Sequence, residues 1–272
     1  MSIVISGNKN LKFIKAVYYQ PVIPPPNPYE KYLTIEPLED DFQIEFYNEC
    51  NALYSLNGSD WTPFEDDYMS PVMNVGDKLY VKGELEPGYG AGQFYTEQLF
   101  NLSGNCNSLI FGDNAHMHDD LTGYNDCYNY LFSSCMGLKN ASKDFLPATT
   151  LDDNCYASMF ADCTSLTQAP ELPATTLVEN CYRSMFSGCS SLVTAPTLPA
   201  TELVEGCYKS MFTGCSKLNY IKALFTTTPS SSYTYNWVSR VSSTGTFIKN
   251  KNATWNVTGV HGIPSGWTVQ TV

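Results

Sequence analysis

One pattern of apolar and polar positions recurs along residues 127–218. The segments CYNYLFSSCMGL, CYASMFADCTSL, CYRSMFSGCSSL and CYKSMFTGCSKL align without gaps, and the last three begin 26 residues apart. Their Cys, Met and Leu positions fall at helical spacing, which predicts a helix of about three turns with one buried face. The intervening LPATTL segments predict only a short strand and a turn, because Pro cannot donate to a strand ladder. A single copy cannot bury its helix face, so the copies are expected to stack with helices on one side and strands on the other.

Upstream of the repeats, apolar and polar residues alternate with a period of two. This alternation predicts six short strands, bounded by Gly, Asn, Asp and Pro. The pair Asn57-Gly58 indicates a hairpin turn within the third of them. Together they predict a β-sandwich. The six segments are YLTIEPL, DFQIEFY, ALYSLNGSDWTPF, DKLYVKGEL, QFYTEQLFNLSG and NSLIFGD.

The repeat unit CYxSMFxGCxSLxxAPxLPATTL resembles the BspA-like leucine-rich repeats of Bacteroidales and their phages. The segments YSLNGSDWTPF and GIPSGWTV resemble the flanking parts of the same proteins, so the resemblance covers residues 31–272. The first copy departs from the unit with Leu131 in place of Met and with Gly137 after its second Cys. The resemblance implies a leucine-rich-repeat α/β solenoid that adheres or binds a ligand, and it does not identify the ligand.

These patterns predict an α+β fold in four parts. Residues 1–30 form a docking arm with a Pro-rich linker, and residues 31–120 form an acidic β-sandwich. Residues 121–225 form a leucine-rich-repeat (BspA-like) α/β solenoid of about four units. Residues 226–272 form a C-terminal cap, which would cover the open face of the last repeat.

The charge of the chain is concentrated in one segment. The formal net charge is -12, and residues 31–125 contain 17 acidic residues against three basic ones. An acidic body repels phosphate backbones, which argues against nucleic acid as the main partner. No run of 18 apolar residues is present, so membrane insertion is not expected.

Cysteine usage follows the repeat, since eight of the ten Cys occupy two matched positions in each copy. The chain begins without the basic, apolar and small-residue regions of a secretory signal, which predicts folding in a reducing compartment. Two interpretations remain open. The thiols form a buried, reduced ladder, or they form inter-repeat disulfides after release from the cell.

The first twenty residues are apolar and basic, and PVIPPPNPY follows them as a stiff spacer. They are too apolar for a free tail, so they either dock on a partner or form a first strand of the β-domain. Docking is the favoured interpretation, with a capsid or tail protein as the partner. The docking residues would be Ile3, Val4, Ile5, Leu11, Phe13, Ile14, Val17 and Tyr18.

The strand-side positions of the repeats vary within a constant frame, as a binding face requires. They are the candidate contacts to a host-surface glycan or protein: Thr167, Gln168, Glu171, Val193, Thr194 and Thr197. The Tyr that follows the first Cys of each copy offers a second possibility. If exposed, these rings would stack on sugars, and otherwise they cover the neighbouring repeat.

A search for catalytic and metal-binding chemistry yields no committed site. His116 and His118, with Asp119 and Asp120 after them, could bind a divalent metal or could form an exposed polar loop. The loop is the favoured interpretation, so no metal, cofactor or catalytic residue is predicted. Three scattered His are too few for a catalytic arrangement.

The predicted function is that of a non-enzymatic phage virion structural protein, a head fibre or tail fibre. It would be made in the host cytoplasm, dock by its arm, and bind the host surface through the repeats. A homo-oligomer is expected, because fibres are commonly symmetric assemblies. The alternatives are a BspA-like adhesin at the bacterial cell surface, exported by an unrecognised route, and a carbohydrate-active enzyme.

Overall fold

The computed structural model describes residues 31–48, 50–64 and 68–272. The predicted docking arm, from Ile3 to Tyr18, therefore lies outside the described residues. In the described part, the protein is mostly β with one short α-helix. The elements are β1 (Leu33–Pro37), β2 (Glu45–Asn48), β3 (Leu53–Ser55), β4 (Thr62–Pro63), β5 (Leu79–Lys82), β6 (Gly92–Tyr95), β7 (Phe100–Ser103), α1 (Ser108–Phe111), β8 (Leu138–Ala141), β9 (Tyr220–Ala223), β10 (Thr246–Lys249) and β11 (Thr268–Thr271).

Three sheets organise these strands. The largest has the order β4-β3-β5-β1-β7-β8, and its strands are antiparallel except for the parallel pair β7–β8. Strands β2 and β6 form an antiparallel pair, and β9, β10 and β11 form a parallel sheet in the order β11-β10-β9. Strand β8 lies among the repeats, so the largest sheet continues into them. The domain boundary at residue 120 stays a prediction.

The hairpin predicted at Asn57-Gly58 joins β3 to β4. The Asn57 side-chain oxygen accepts hydrogen bonds from the backbone N–H groups of Ser59 and Asp60, each at 2.9 Å. Gly58 adopts a φ of 75°, a conformation that favours glycine over any residue with a Cβ. The turn residues therefore determine this connection locally.

The segment NSLIFGD was predicted to be a strand, and this prediction is wrong. Its central residues form α1, followed by a 3-10 helix over Gly112–Met117. Leu109 and Ile110 are both buried, so the segment is a continuous apolar run, for which periodicity does not separate strand from helix. Ser108 is buried as well, and its hydroxyl accepts the Leu33 N–H and donates to a β5 carbonyl.

The predicted fold class is also wrong, because the C-terminal half lacks the helix–strand alternation of a leucine-rich-repeat solenoid. The segments predicted as helices are chains of consecutive tight turns. Every fourth residue adopts the left-handed conformation, as at Asn154 (φ 55°), Ser158 (φ 55°) and Asp162 (φ 59°). A right-handed helix cannot continue through such residues. Each of these segments, with the residues that lead to the next one, forms one coil. We call the segments together the turn stack; they comprise residues 126–134, 154–162, 180–188, 206–214 and 232–240.

Backbone hydrogen bonds in the turn stack alternate between two kinds of partner. The N–H groups of Tyr156, Ser158 and Phe160 donate to carbonyls of the next coil at 2.7–3.1 Å. The intervening Ala157 and Met159 donate to the carbonyl three residues back in their own coil. Half of the bonds in each coil thus depend on a neighbouring coil, so a single coil cannot satisfy its own backbone.

Two columns of stacked rings fill the interior of the turn stack. Tyr128, Tyr156, Tyr182 and Tyr208 form the first, with successive ring centroids 5.6–6.0 Å apart. The second is longer and joins the β-sheets to the coils. It runs through Phe46, Phe94, Phe132, Phe160, Phe186 and Phe212. Both columns lie within one hydrophobic core that spans the described chain.

Residues 226–272 extend the stack rather than leaving it open. The backbone N–H groups of Tyr208, Ser210 and Phe212 donate to carbonyls of residues 233, 235 and 237, so residues 232–240 act as a further coil. Fully buried Trp237 lies against the last ring of each column, 6.3 Å from Tyr208 and 6.2 Å from Phe212. Sheet β9–β11 continues the opposite side of the coils.

Replacing Ser184 by Gly tests the turn geometry against the helix that the spacing predicted. At a φ of 54°, Gly removes a Cβ penalty, so Ser184→Gly should raise the free energy of unfolding by about 0.5–1 kcal/mol. In a helix the same change would lower it, since Gly is a poor helix former. Urea unfolding measures the difference.

Arg183→Gly is the matched control, because Arg183 precedes Ser184, is exposed, and is not among the residues of positive φ. This variant should lose stability. A loss in Ser184→Gly as large as the loss in Arg183→Gly would contradict the turn geometry.

Candidate functional site

A row of polar side chains follows the strand side of the coils. The residues of the row pair with one another as neighbours in β-sheets or in isolated β-bridges. The row runs from β7 and β8 through the repeats to β9, β10 and β11. Gln168 and Thr194 have no direct bridge to each other, but they occupy the same position of consecutive copies, LTQAP and LVTAP. We call the row the polar ladder; it consists of Asn101, Asn140, Gln168, Thr194, Tyr220, Thr246 and Thr268.

The structure places two of the six predicted contact residues, Gln168 and Thr194, on the polar ladder. Both are exposed, as are Thr167, Val193 and Glu171, whereas a sixth, Thr197, is partly buried. Glu171 and Thr197 lie beyond the ladder toward the LPATTL segments. Five of the six predicted contact residues are therefore accessible to solvent, and ligand binding by any of the six stays a prediction.

Five ladder residues were missed by the sequence reasoning. Asn140 and Tyr220 each lie two residues after the last Leu of a recognisable copy, as Gln168 and Thr194 do, whereas Asn101, Thr246 and Thr268 lie outside the four copies. The spacing gives the signal, because Thr194 and Tyr220 are 26 residues apart, as are Tyr220 and Thr246. Extending that register past the last recognisable Cys would have found Tyr220 and Thr246, and aligning the first copy through Leu138 would have found Asn140. Asn101 and Thr268 follow no such spacing and are placed by strand pairing.

The ladder presents neutral hydrogen-bonding groups. The Asn140 amide donates to the Asn101 side-chain oxygen at 3.0 Å, and the Thr167 hydroxyl donates to the Asn140 side-chain oxygen at 2.9 Å. These side chains are held in place by one another and by the strands below. The row therefore offers fixed amide and hydroxyl groups to a partner without a charge to desolvate.

A compact charged cluster around Asp113 includes Lys31 and Tyr32, the first described residues. Asp113 accepts hydrogen bonds from Tyr32 and from the ammonium groups of Lys31 and Lys82, the latter two at 3.1 Å. The Tyr32 hydrogen bond, with those of the lysines, lowers the pKa of Asp113 to about 2. Lys82 also lies 4.2 Å from the centre of the Trp61 ring. The cluster thus ties the residues that follow the Pro-rich segment to the body of the protein.

His118, one of the two histidines considered for metal binding, is held by other contacts. The His118 ring stacks on Phe111 with centroids 4.2 Å apart, and the Asn107 amide donates to the His118 carbonyl. Among residues 31–48, 50–64 and 68–272, no three side chains of His, Cys, Asp or Glu lie close enough to hold a metal ion. The third histidine, His261, accepts the backbone N–H of Asn236.

The tyrosine column is unavailable to sugars. The rings of Tyr128, Tyr156, Tyr182 and Tyr208 are at most 1% exposed, which excludes the exposed ladder that the sequence left open. The hydroxyls of Tyr156, Tyr182 and Tyr208 find no hydrogen-bond partner among the described residues.

All ten cysteines lie in the described part of the chain, where each is buried and none forms a disulfide. Burial raises the pKa of Cys207 to about 11 and the pKa values of Cys135 and Cys215 to about 12. Nucleophilic and redox chemistry needs an accessible thiolate, which this environment suppresses. The cysteines are therefore packing residues of the folded chain.

Comparisons with known proteins give no relative. No family model, no curated protein and no solved structure matches the chain. In the part of the chain that the structure describes, no helix has the length and apolar character needed to cross a membrane.

The buried thiols should make stability fall in alkaline solution. A folded pKa above the ordinary value of 9.0 means that the stabilisation is complete below pH 9 and is lost as the pH rises through the folded value. Between pH 9 and 11, each such thiol contributes a slope of about -1.4 kcal/mol per pH unit. Urea unfolding at a series of pH values measures this slope.

Cys215→Ala supplies the control. It should lower stability at neutral pH through the cavity that it leaves, and it should make the alkaline slope shallower by one thiol's contribution. A stability that stays constant from pH 8 to 10, or native thiols that react rapidly with an alkylating reagent, would count against the buried ladder.

Proposed function

We propose that this protein is a non-enzymatic structural protein of a phage virion, a head fibre or tail fibre, that contacts the host surface through the polar ladder. The repeat sequence motif and its resemblance to BspA-like proteins of Bacteroidales and their phages support this proposal. The sequence alone carries the resemblance, because the helix–strand fold expected with it is not the fold of this chain.

The observation that supports binding most directly is the contrast between the ladder and the interior. Inward positions repeat with little change, whereas the ladder changes from Asn to Gln, Thr and Tyr along its length. Coils linked by backbone hydrogen bonds hold these side chains at fixed spacing, which limits the entropy lost when a partner binds. A surface of this kind suits an extended ligand that spans several coils.

Attachment to the virion is assigned to residues 1–30. Their apolar, basic stretch would dock on a capsid or tail protein, and the Pro-rich spacer would hold the ladder away from the particle. Hydrogen bonds of Lys31 and Tyr32 to Asp113 anchor the residues that follow the spacer to the β-domain. A symmetric assembly of several chains fits such a fibre.

Thr194→Lys tests the ladder. A lysine at this exposed position should block close approach of a partner and weaken host-cell binding by about tenfold or more, which corresponds to about 1.4 kcal/mol. The measurement is binding of fluorescently labelled protein to host cells, with thermal unfolding as a check on the fold.

Thr176→Lys is the matched control, because Thr176 is exposed and lies in an LPATTL segment away from the ladder. This substitution adds the same positive charge as Thr194→Lys. It should bind as the unaltered protein does. Equal binding by both variants would remove the polar ladder as the contact surface.

Deleting residues 1–28 tests the arm. The truncated chain keeps Lys31 and Tyr32, so the Asp113 cluster and the fold should persist, while incorporation into virions should be lost. Immunoblotting of purified particles against the full-length protein measures incorporation. Virions that still contain the truncated chain would refute docking by the arm, and a protein found on uninfected bacterial cells would favour the adhesin alternative.

A further inference from the structure

A tyrosine-walled pocket lies where the β2–β6 pair meets the first coil of the turn stack. It has a volume of about 320 Å³. Its walls come from three segments that are distant in sequence, and the backbone of β6 connects to the coil through the Phe94 N–H, which donates to the Leu131 carbonyl. We call it the tyrosine pocket; it is lined by Tyr47, Gly90, Gly92, Gln93, Asp126, Asn129 and Tyr130.

Tyr130 departs from the repeat at this site. The next three coils have Ser158, Ser184 and Ser210 at the same position, and the last has Asn236, each in the left-handed conformation. Tyr130 adopts this conformation with a φ of 61°, which is unfavourable for a bulky side chain, and the residue is 52% exposed. An exposed aromatic residue in a strained conformation costs stability without adding to the core. Such departures concentrate at functional sites.

Asn129 supplies a second departure and an unused acceptor. The equivalent positions hold Ala157, Arg183 and Lys209. The Asn129 side-chain oxygen is buried and accepts no hydrogen bond from the described residues, while its amide donates to Asp126 at 3.4 Å. A buried acceptor without a donor is unfavourable by about 1–3 kcal/mol. A small rotation of this side chain would offer the oxygen to a ligand hydroxyl at the pocket surface.

The opposite wall of the pocket is aromatic. Tyr47 is 50% exposed, and its ring lies 5.6 Å from that of Tyr68, which is also exposed and left-handed at a φ of 56°. The Tyr47 hydroxyl donates to Glu45 at 2.7 Å, which fixes the ring. Gly90 and Gly92 lack side chains that would fill the space between this wall and Tyr130. The floor is therefore backbone, bounded by aromatic faces.

We infer that the tyrosine pocket binds a neutral hexose-based glycan. Tyrosine faces pack against the apolar C–H face of a pyranose ring, and the side-chain oxygens of Gln93, Asn129 and Asp126 accept hydrogen bonds from its hydroxyls, since the Gln93 amide group already donates to the Ser133 carbonyl. The one ionised side chain of the lining, Asp126, disfavours anionic sugars, and so does the charge of the acidic segment around it. The pocket does not depend on the polar ladder, so either can fail alone.

The test measures sugar binding by the full chain. The probes are the methyl glycosides of mannose, glucose and galactose and neutral oligosaccharides of each, with sialyllactose as the anionic comparison. Saturation-transfer NMR at millimolar sugar detects binding, and titration calorimetry measures the affinity. At least one neutral probe should bind, and sialyllactose should not.

Tyr130→Ser is the main variant, and it introduces the residue that the next three coils have at this position. It should fold with equal or greater stability and should bind the neutral probe about tenfold more weakly or not at all. Tyr235→Ser is the control, because Tyr235 is 43% exposed at the far end of the turn stack. It should retain the affinity.

Three outcomes overturn the inference. They are no binding of any neutral probe, binding that Tyr130→Ser leaves unchanged, and preferential binding of sialyllactose. Thr194→Lys separates the two surfaces. Glycan binding lost in Thr194→Lys and retained in Tyr130→Ser would place the sugar on the polar ladder and refute the pocket.

Discussion

The alternation of backbone hydrogen bonds within the turn stack is the constraint on which the rest of the structure depends. Every second N–H group, such as that of Ser158, donates to a neighbouring coil, so each coil is satisfied only when its neighbour is present. Uniform spacing of the coils follows, and it brings equivalent side chains into register. The ring columns, the buried cysteines and the polar ladder are three consequences of that one register.

The helix predicted from sequence and the observed turns share the same inward positions. Two residues of each turn point into the core and the next two are more accessible, and this period of four places Cys155, Met159 and Cys163 inside, as a helix of period 3.6 also would over so short a segment. The residues between them distinguish the two structures. Asn154, Asp162, Gly188 and Gly214 are types that tolerate the left-handed conformation, and they recur four residues from the repeated Ser.

The binding surface could be predicted in part. Gln168 and Thr194 were found because they vary within a recognisable copy, whereas Thr246 lies in a coil with no Cys or Met-Phe to mark it. Tertiary contacts alone define that coil, through Trp237 and through the pairing of β10 with β9. The tyrosine pocket was not predictable from sequence, because β2 and β6 are distant from the first coil in sequence and meet it only in the folded protein.

A regular stack makes local departures informative. Where the frame demands a small residue in a left-handed conformation, every internal coil from 155 to 215 supplies Ser, and only the first has Tyr. Packing does not explain the exchange, since the ring of Tyr130 is exposed and the interior of that coil is already filled by Tyr128 and Phe132. The first coil is also the one that meets β6, so its departure coincides with a place where the repeat adjoins a different surface. A repeat protein gains specificity at such a junction, because two unlike walls face each other there.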